Sequence, residues 1–224
     1  MRLLAPLALG FALAAPASSP ITHETVWLTK RVGAPVLSPD GSRAVVSVTE
    51  PAYDPAQQAS DLWLLSTGSG AAPRRLTHTK APESGVAWSP DGRRIAFCSA
   101  RAGSPQIYVM APDGSGVTRV SRSGSYNTSP AWSPKGDRLA WTTRAGGSFQ
   151  IVVANADGSD ARTITSQGSN ENASWGPDGR YLVFSSRRGG GGRRLYLADR
   201  DGKTLKQLTH GPGDDTSPAW SPRL

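Results

Sequence analysis

The sequence has a single cysteine, Cys98, so it can form no internal disulfide. It has one apolar run near its start and no later segment long enough to cross a bilayer. No Gly-x-Ser-x-Gly elbow occurs anywhere, which removes the usual nucleophile of an α/β-hydrolase. Carboxylates are fewer than cations, leaving a formal charge of +8. A basic surface can favour anionic partners. However, no face interleaves aromatic and basic residues, so nucleic acid is not expected as a partner.

Several residues mimic functional motifs without completing them. His78 and His210 share one repeat position after a Leu-Thr pair, whereas a catalytic triad needs one unique histidine beside a serine and a carboxylate. His23 has no obvious partner. Cys98 aligns with Ser47, Thr142 and Ser185, and reads as a small strand residue. Asn155 to Asp160 and Asp199 to Gly202 carry acidic loops, but neither has the glutamate at the twelfth position that completes an EF-hand. Hairpin turns account for both. No catalytic residue, metal site or cofactor is expected. Arg187 to Arg194 reads as a solvated basic hairpin loop.

What is present begins with an export signal. Arg2 is followed by an apolar stretch from Leu3 to Ala15, and Ala15-Pro16-Ala17 has the small-x-small pattern of a signal peptidase site. Cleavage after Ala17 would leave residues 18–224 as one periplasmic domain starting at Ser18. The 25 glycines and 18 prolines suit many short strands and tight turns.

The dominant signal is a repeat. Trp88-Ser89-Pro90-Asp91-Gly92 recurs as Trp132-Ser133-Pro134-Lys135-Gly136 and Trp175-Gly176-Pro177-Asp178-Gly179, with a stub at Trp220-Ser221-Pro222 and an earlier copy at Leu37-Ser38-Pro39-Asp40-Gly41. The tryptophans lie 44, 43 and 45 residues apart, the length of a four-stranded propeller blade. Each period holds four short strands. The Pro-Asp-Gly turn follows the first strand, and an Asp-Gly hairpin follows the third. The two middle strands are apolar at consecutive positions, so both their faces must be covered, as in a blade packed between two others. The fold expected is all-β: a β-propeller with four complete blades, starting near Ala34, Val86, Pro130 and Ala173, plus a partial fifth. Its first strand would be Thr216 to Trp220, and Val26 to Thr29 resembles a fourth strand that could share that blade. The ring is left open or imperfectly closed. Helix is expected only in the signal region. Arg43, Arg94 and Arg138 recur at one position and mark a structural register.

On these residues the chain resembles two families. From about Gln106 to Leu224, the Trp-Ser-Pro-Asp-Gly repeats look like the propeller of TolB, a periplasmic component of the Tol-Pal system. Asp157-Gly158-Ser159 with Ile164-Thr165 and the ending Pro218-Ala219-Trp220-Ser221-Pro222 look especially like it. Thr22 to Leu65, with Lys30 to Pro35 and Ser47 to Glu50, is similar to the propeller of prolyl-oligopeptidase-type peptidases. TolB proteins carry an α/β domain before a six-bladed propeller, and contact TolA through it; this sequence has no counterpart. The resemblance implies a non-enzymatic scaffold whose partner, a Pal-like lipoprotein, docks at a channel mouth. The alternative is the non-catalytic propeller part of a peptidase.

In a propeller the first strand of each blade is innermost, so the loops leading into these strands crowd one mouth of the channel. Here they carry Glu83, Tyr126, Asn127, Asn170, Glu171, Asn172, Asp214 and Asp215, a polar and partly acidic ring expected to bind the partner.

Overall fold

A computed structural model describes residues 21–54, 57–68 and 70–221. The signal region and its cleavage site lie outside these residues. Four antiparallel sheets follow one another. The first holds β1 (Arg31–Val32), β2 (Val36–Leu37), β3 (Arg43–Glu50), β4 (Ala59–Ser66) and β5 (Arg74–Arg75), with β1 and β2 together forming its inner strand against β3. The second holds β6 (Glu83–Trp88), β7 (Ile95–Ser99), β8 (Gln106–Met110) and β9 (Thr118–Arg119). The third holds β10 (Asn127–Trp132), β11 (Arg138–Ala145), β12 (Ser148–Asn155) and β13 (Arg162–Thr163). The fourth holds β14 (Asn170–Trp175), β15 (Tyr181–Ser186), β16 (Arg194–Asp199) and β17 (Leu205–Gln207). These are the four expected blades.

The turn after each inner strand shows why the repeat is written as it is. Ser89 donates its hydroxyl to Asp91 at 2.5 Å and accepts from the Arg94 amide at 2.8 Å, while Gly92 takes φ +67°. The middle strands then insert between blades. Ile95 and Phe97 pack towards blade 1 with Val45, Leu62 and Leu76. Their neighbours Ala96 and Cys98 pack towards blade 3 with Trp132, Leu139 and Trp141. Consecutive apolar residues thus serve two interfaces at once.

The tryptophans tie successive blades. Trp88 donates its indole N–H to the Val36 carbonyl at 3.0 Å, Trp132 to Ala87 at 3.1 Å and Trp175 to Ala131 at 3.1 Å. Arg43 and Arg94 stack on Trp88 and Trp132 with their guanidinium carbons 5.0 and 4.5 Å from the ring centroids. The Asp-Gly turns also reach across. A Cβ on Gly158 would lie 2.2 Å from the Val120 carbonyl oxygen of the preceding blade, and its φ is +84°.

The structure corrects two expectations at the ends. His23–Trp27 is one turn of helix, neither a strand nor part of the signal region. Thr22 caps it and exchanges hydrogen bonds with Thr25, which satisfies amide groups that no neighbouring strand offers to pair. Thr216 to Trp220 is not a strand either, since among the described residues no second strand pairs with it. Trp220 nonetheless repeats the inter-blade bond, donating to the Ser174 carbonyl at 3.2 Å.

Candidate functional site

Each of the inner strands β6, β10 and β14 breaks register once, between Ser84 and Ala87, Thr128 and Ala131, and Glu171 and Ser174. An extra residue at each break takes a left-handed conformation: Gly85 (φ 62°), Ser129 (55°) and Asn172 (58°). Ser217 (53°) does the same in the C-terminal segment. Such bulges bend a strand and re-aim its side chains. These four residues and the one after each line a central cavity of about 350 Å³. The loops leading into the inner strands surround one end of it.

The eight expected mouth residues divide into two groups. Glu83, Asn127, Asn170 and Asp215 occupy one repeat position, five residues before each tryptophan. The first three are buried, so they are not rim residues. Asn127 donates to Gln106 at 2.8 Å and accepts from the Trp141 indole at 2.8 Å. Asn170 donates to Gln150 at 2.9 Å. Glu83 accepts from Ser99 at 3.0 Å and Thr79 at 3.2 Å, and is ion-paired with Arg101. Each fastens its blade to the one before it or braces its own, because a buried polar group must be matched by a partner. Asp215 faces Arg194 at 3.8 Å across the equivalent position.

Tyr126, Glu171, Asn172 and Asp214 remain accessible around the mouth. Tyr126 is 37% exposed and its ring centroid lies 5.8 Å from that of Phe149. Glu171 pairs with Arg193 at 2.7 Å. Asp214 accepts from the Arg193 amide at 2.5 Å and faces Arg187 at 3.8 Å. The rim is therefore a charge-paired surface rather than a negative one. The arginines come from the Gly-rich loop between β15 and β16. Their inward reach was not visible in the sequence, where the same loop reads as solvated.

The remaining candidates sit elsewhere. Burial pushes the Cys98 thiol up to about 11, which suits a packed strand residue and not a nucleophile. His78 and His210 are exposed, and among the described residues neither hydrogen-bonds a serine. His23 stacks on Trp27, which stacks on Tyr53. Asp157 accepts from the amide and hydroxyl of Ser159 at 2.9 and 2.6 Å, closing the hairpin turn.

A match to the TolB beta propeller domain spans residues 22–224. The chain is 26% identical to TolB from Acinetobacter baumannii, whose crystal structure it matches with a TM-score of 0.71 over 85% of this chain and 46% of that one. It is 40% identical over 55 residues to the Tol-Pal system protein TolB of Bordetella pertussis, covering 25% of this chain and 13% of that protein. It is 32% identical over 95 residues to the uncharacterized peptidase YuxL of Bacillus subtilis, covering 42% of this chain and 14% of that protein. The matched part is thus just under half of the Acinetobacter baumannii chain and about one seventh of each of the other two proteins. With four aligned blades, the inter-blade tryptophan bonds and a family match over nearly all its length, the chain belongs to the TolB beta propeller domain family.

Proposed function

We propose that this protein is a non-enzymatic periplasmic scaffold that binds a protein partner through the channel mouth, most simply a Pal-like lipoprotein of a Tol-Pal system. The observation that carries the reading is the accessible group around the central cavity. Tyr126 offers an aromatic anchor, and Glu171, Asn172 and Asp214 offer fixed polar groups beside it. Aromatic residues ringed by polar ones carry much of the energy in protein interfaces. The blades hold these groups in place, so little ordering entropy is lost on binding.

The similarity to YuxL favours a second reading, in which the chain is the non-catalytic propeller part of a peptidase. Chemical crosslinking of intact cell envelopes followed by co-purification tests both. Recovery of a Pal-like lipoprotein supports the first reading, and recovery of a hydrolase subunit supports the second. Intact mass of the exported protein tests the location: an N-terminus at Ser18 is expected, and a cytosolic protein retaining Met1 would refute it.

A further inference from the structure

Residues that hold a propeller together recur in every blade, so residues that break the repeat at one junction need another explanation. Two such departures meet between blades 2 and 3, on the side of the Pro-Asp-Gly turns and away from the mouth, beside Arg93, at a position where blade 4 also has an arginine, Arg180, and blades 1 and 3 have Ser42 and Asp137. Arg122 stands where the other blades have His78, Ser166 and His210. Ala156 stands where the flanking blades have Pro112 and Arg200. All three line a groove of about 420 Å³, whose apolar floor includes Val109, Met110 and Val120.

Two arginines beside the apolar floor set the chemistry of this groove. Arg75, Arg101, Arg187, Arg193 and Arg194 each face a carboxylate. Arg93 and Arg122 are exposed, and neither guanidinium makes a hydrogen bond or ion pair among the described residues. Arg94, also on the groove, is fixed by the Trp132 ring and the Gly136 carbonyl at 2.6 Å. Asp157, the acid on the groove, accepts from the Ser159 amide and hydroxyl and also feels the charge of Arg122, as Asp91 feels that of Arg93. Two guanidiniums free of hydrogen bonds beside an apolar floor suit a ligand with a carboxylate at one end and an apolar body. A guanidinium grips a carboxylate through paired N–H donors. The volume fits a small molecule, since ligand pockets begin at roughly 300 Å³.

We propose that this groove binds a small free carboxylate with an apolar chain or ring, its charge held by Arg93 and Arg122 and its body on Val109, Val120 and Ala156. The test is titration of the full chain with octanoate, followed by amide chemical shifts and calorimetry. Octan-1-ol lacks the charge and acetate lacks the chain, and each is expected to bind at least about tenfold more weakly. The R93Q/R122Q double variant is expected to lose octanoate binding by a similar factor at an unchanged unfolding temperature. Octan-1-ol binding as well as octanoate, or octanoate binding the double variant unchanged, would overturn the assignment. So would shifts confined to another groove. A short peptide with a C-terminal leucine that binds more tightly than octanoate would replace the small molecule with a protein terminus as the occupant.

Discussion

The indole N–H of Trp132 donates to the carbonyl of Ala87 at 3.1 Å, so a residue of one inner strand closes a hydrogen bond on the inner strand before it. The same bond recurs at Trp88, Trp175 and Trp220. It makes each blade depend on its predecessor. Trp132 is 8% exposed, whereas Trp220 is 37% exposed because no further strand among the described residues covers it. Trp132→Ala should cost about 3–5 kcal/mol, as for other buried large aromatics, and Trp220→Ala about half of that or less. Urea unfolding of the two variants checks this. Equal losses would mean that Trp220 is as deeply packed as the others.

Asn127 makes a second kind of tie. Its amide joins Gln106 of the previous blade to Trp141 of its own, and it is wholly buried. Asn127→Ala should leave the Trp141 N–H without a partner, while the Gln106 side-chain oxygen keeps the Ser121 hydroxyl at 2.7 Å. A buried unsatisfied group costs about 1–3 kcal/mol, and denaturant titration is expected to show a loss in that range. A loss under about 0.5 kcal/mol, the scale of an ordinary surface substitution, would return Asn127 to the rim.

The turn aspartates should contribute to the pH dependence of stability in acid. Hydrogen bonds from the Ser38 and Ser42 hydroxyls hold Asp40 down from the usual 3.8 to about 2. Serine hydroxyls also lower Asp91, Asp113 and Asp157. A carboxyl lowered on folding contributes stability that is complete above its unfolded value and is lost as pH falls through its folded value. For Asp40 the loss should therefore run from just above pH 3.8 down to about 2. The urea midpoint of wild type should exceed that of Asp40→Asn at pH 6, and the gap should close across this window. A gap that is constant with pH would contradict the hydrogen-bond origin of the shift.

The blade frame was legible because it is periodic. Trp88, Trp132 and Trp175 recur with the same turn, and the runs around Phe97, Trp141 and Phe184 need cover on both faces. The ends were less legible. Val26-Trp27-Leu28 has the composition of a strand, but the Thr22 cap favours a helical turn there and no strand among the described residues pairs with it. The candidate site was half legible. Sequence position placed Glu83, Asn127 and Asn170 in the loops entering the inner strands, but not their burial: Asn127 and Asn170 are held by Gln106 and Gln150, 21 and 20 residues earlier in the chain. Arg193 and Arg187 were hidden for a related reason. Their long side chains fold back from a glycine-rich loop onto Glu171 and Asp214, and nothing local in Arg187 to Arg194 specifies that return.

This pairing of charges shapes what the mouth should do. Because each acid faces an arginine, the rim carries little net field, and Tyr126 rather than charge is the expected anchor. Tyr126→Ala should weaken partner capture by at least tenfold, as for a hot-spot aromatic, without changing the unfolding midpoint. Replacing Glu171, Asp214 and Asp215 together by Asn leaves Arg187, Arg193 and Arg194 uncompensated and turns the rim basic. For a partner that presents a basic patch, association should then slow, and raising the salt should partly restore it, because screening now weakens repulsion. Folding should be little affected, since the acids lost are at least partly exposed and exposed ion pairs contribute little. Stopped-flow capture of the crosslinked partner at two salt concentrations measures both effects. If the triple variant and Tyr126→Ala recover the same partner at the wild-type rate and salt dependence, binding lies on another face.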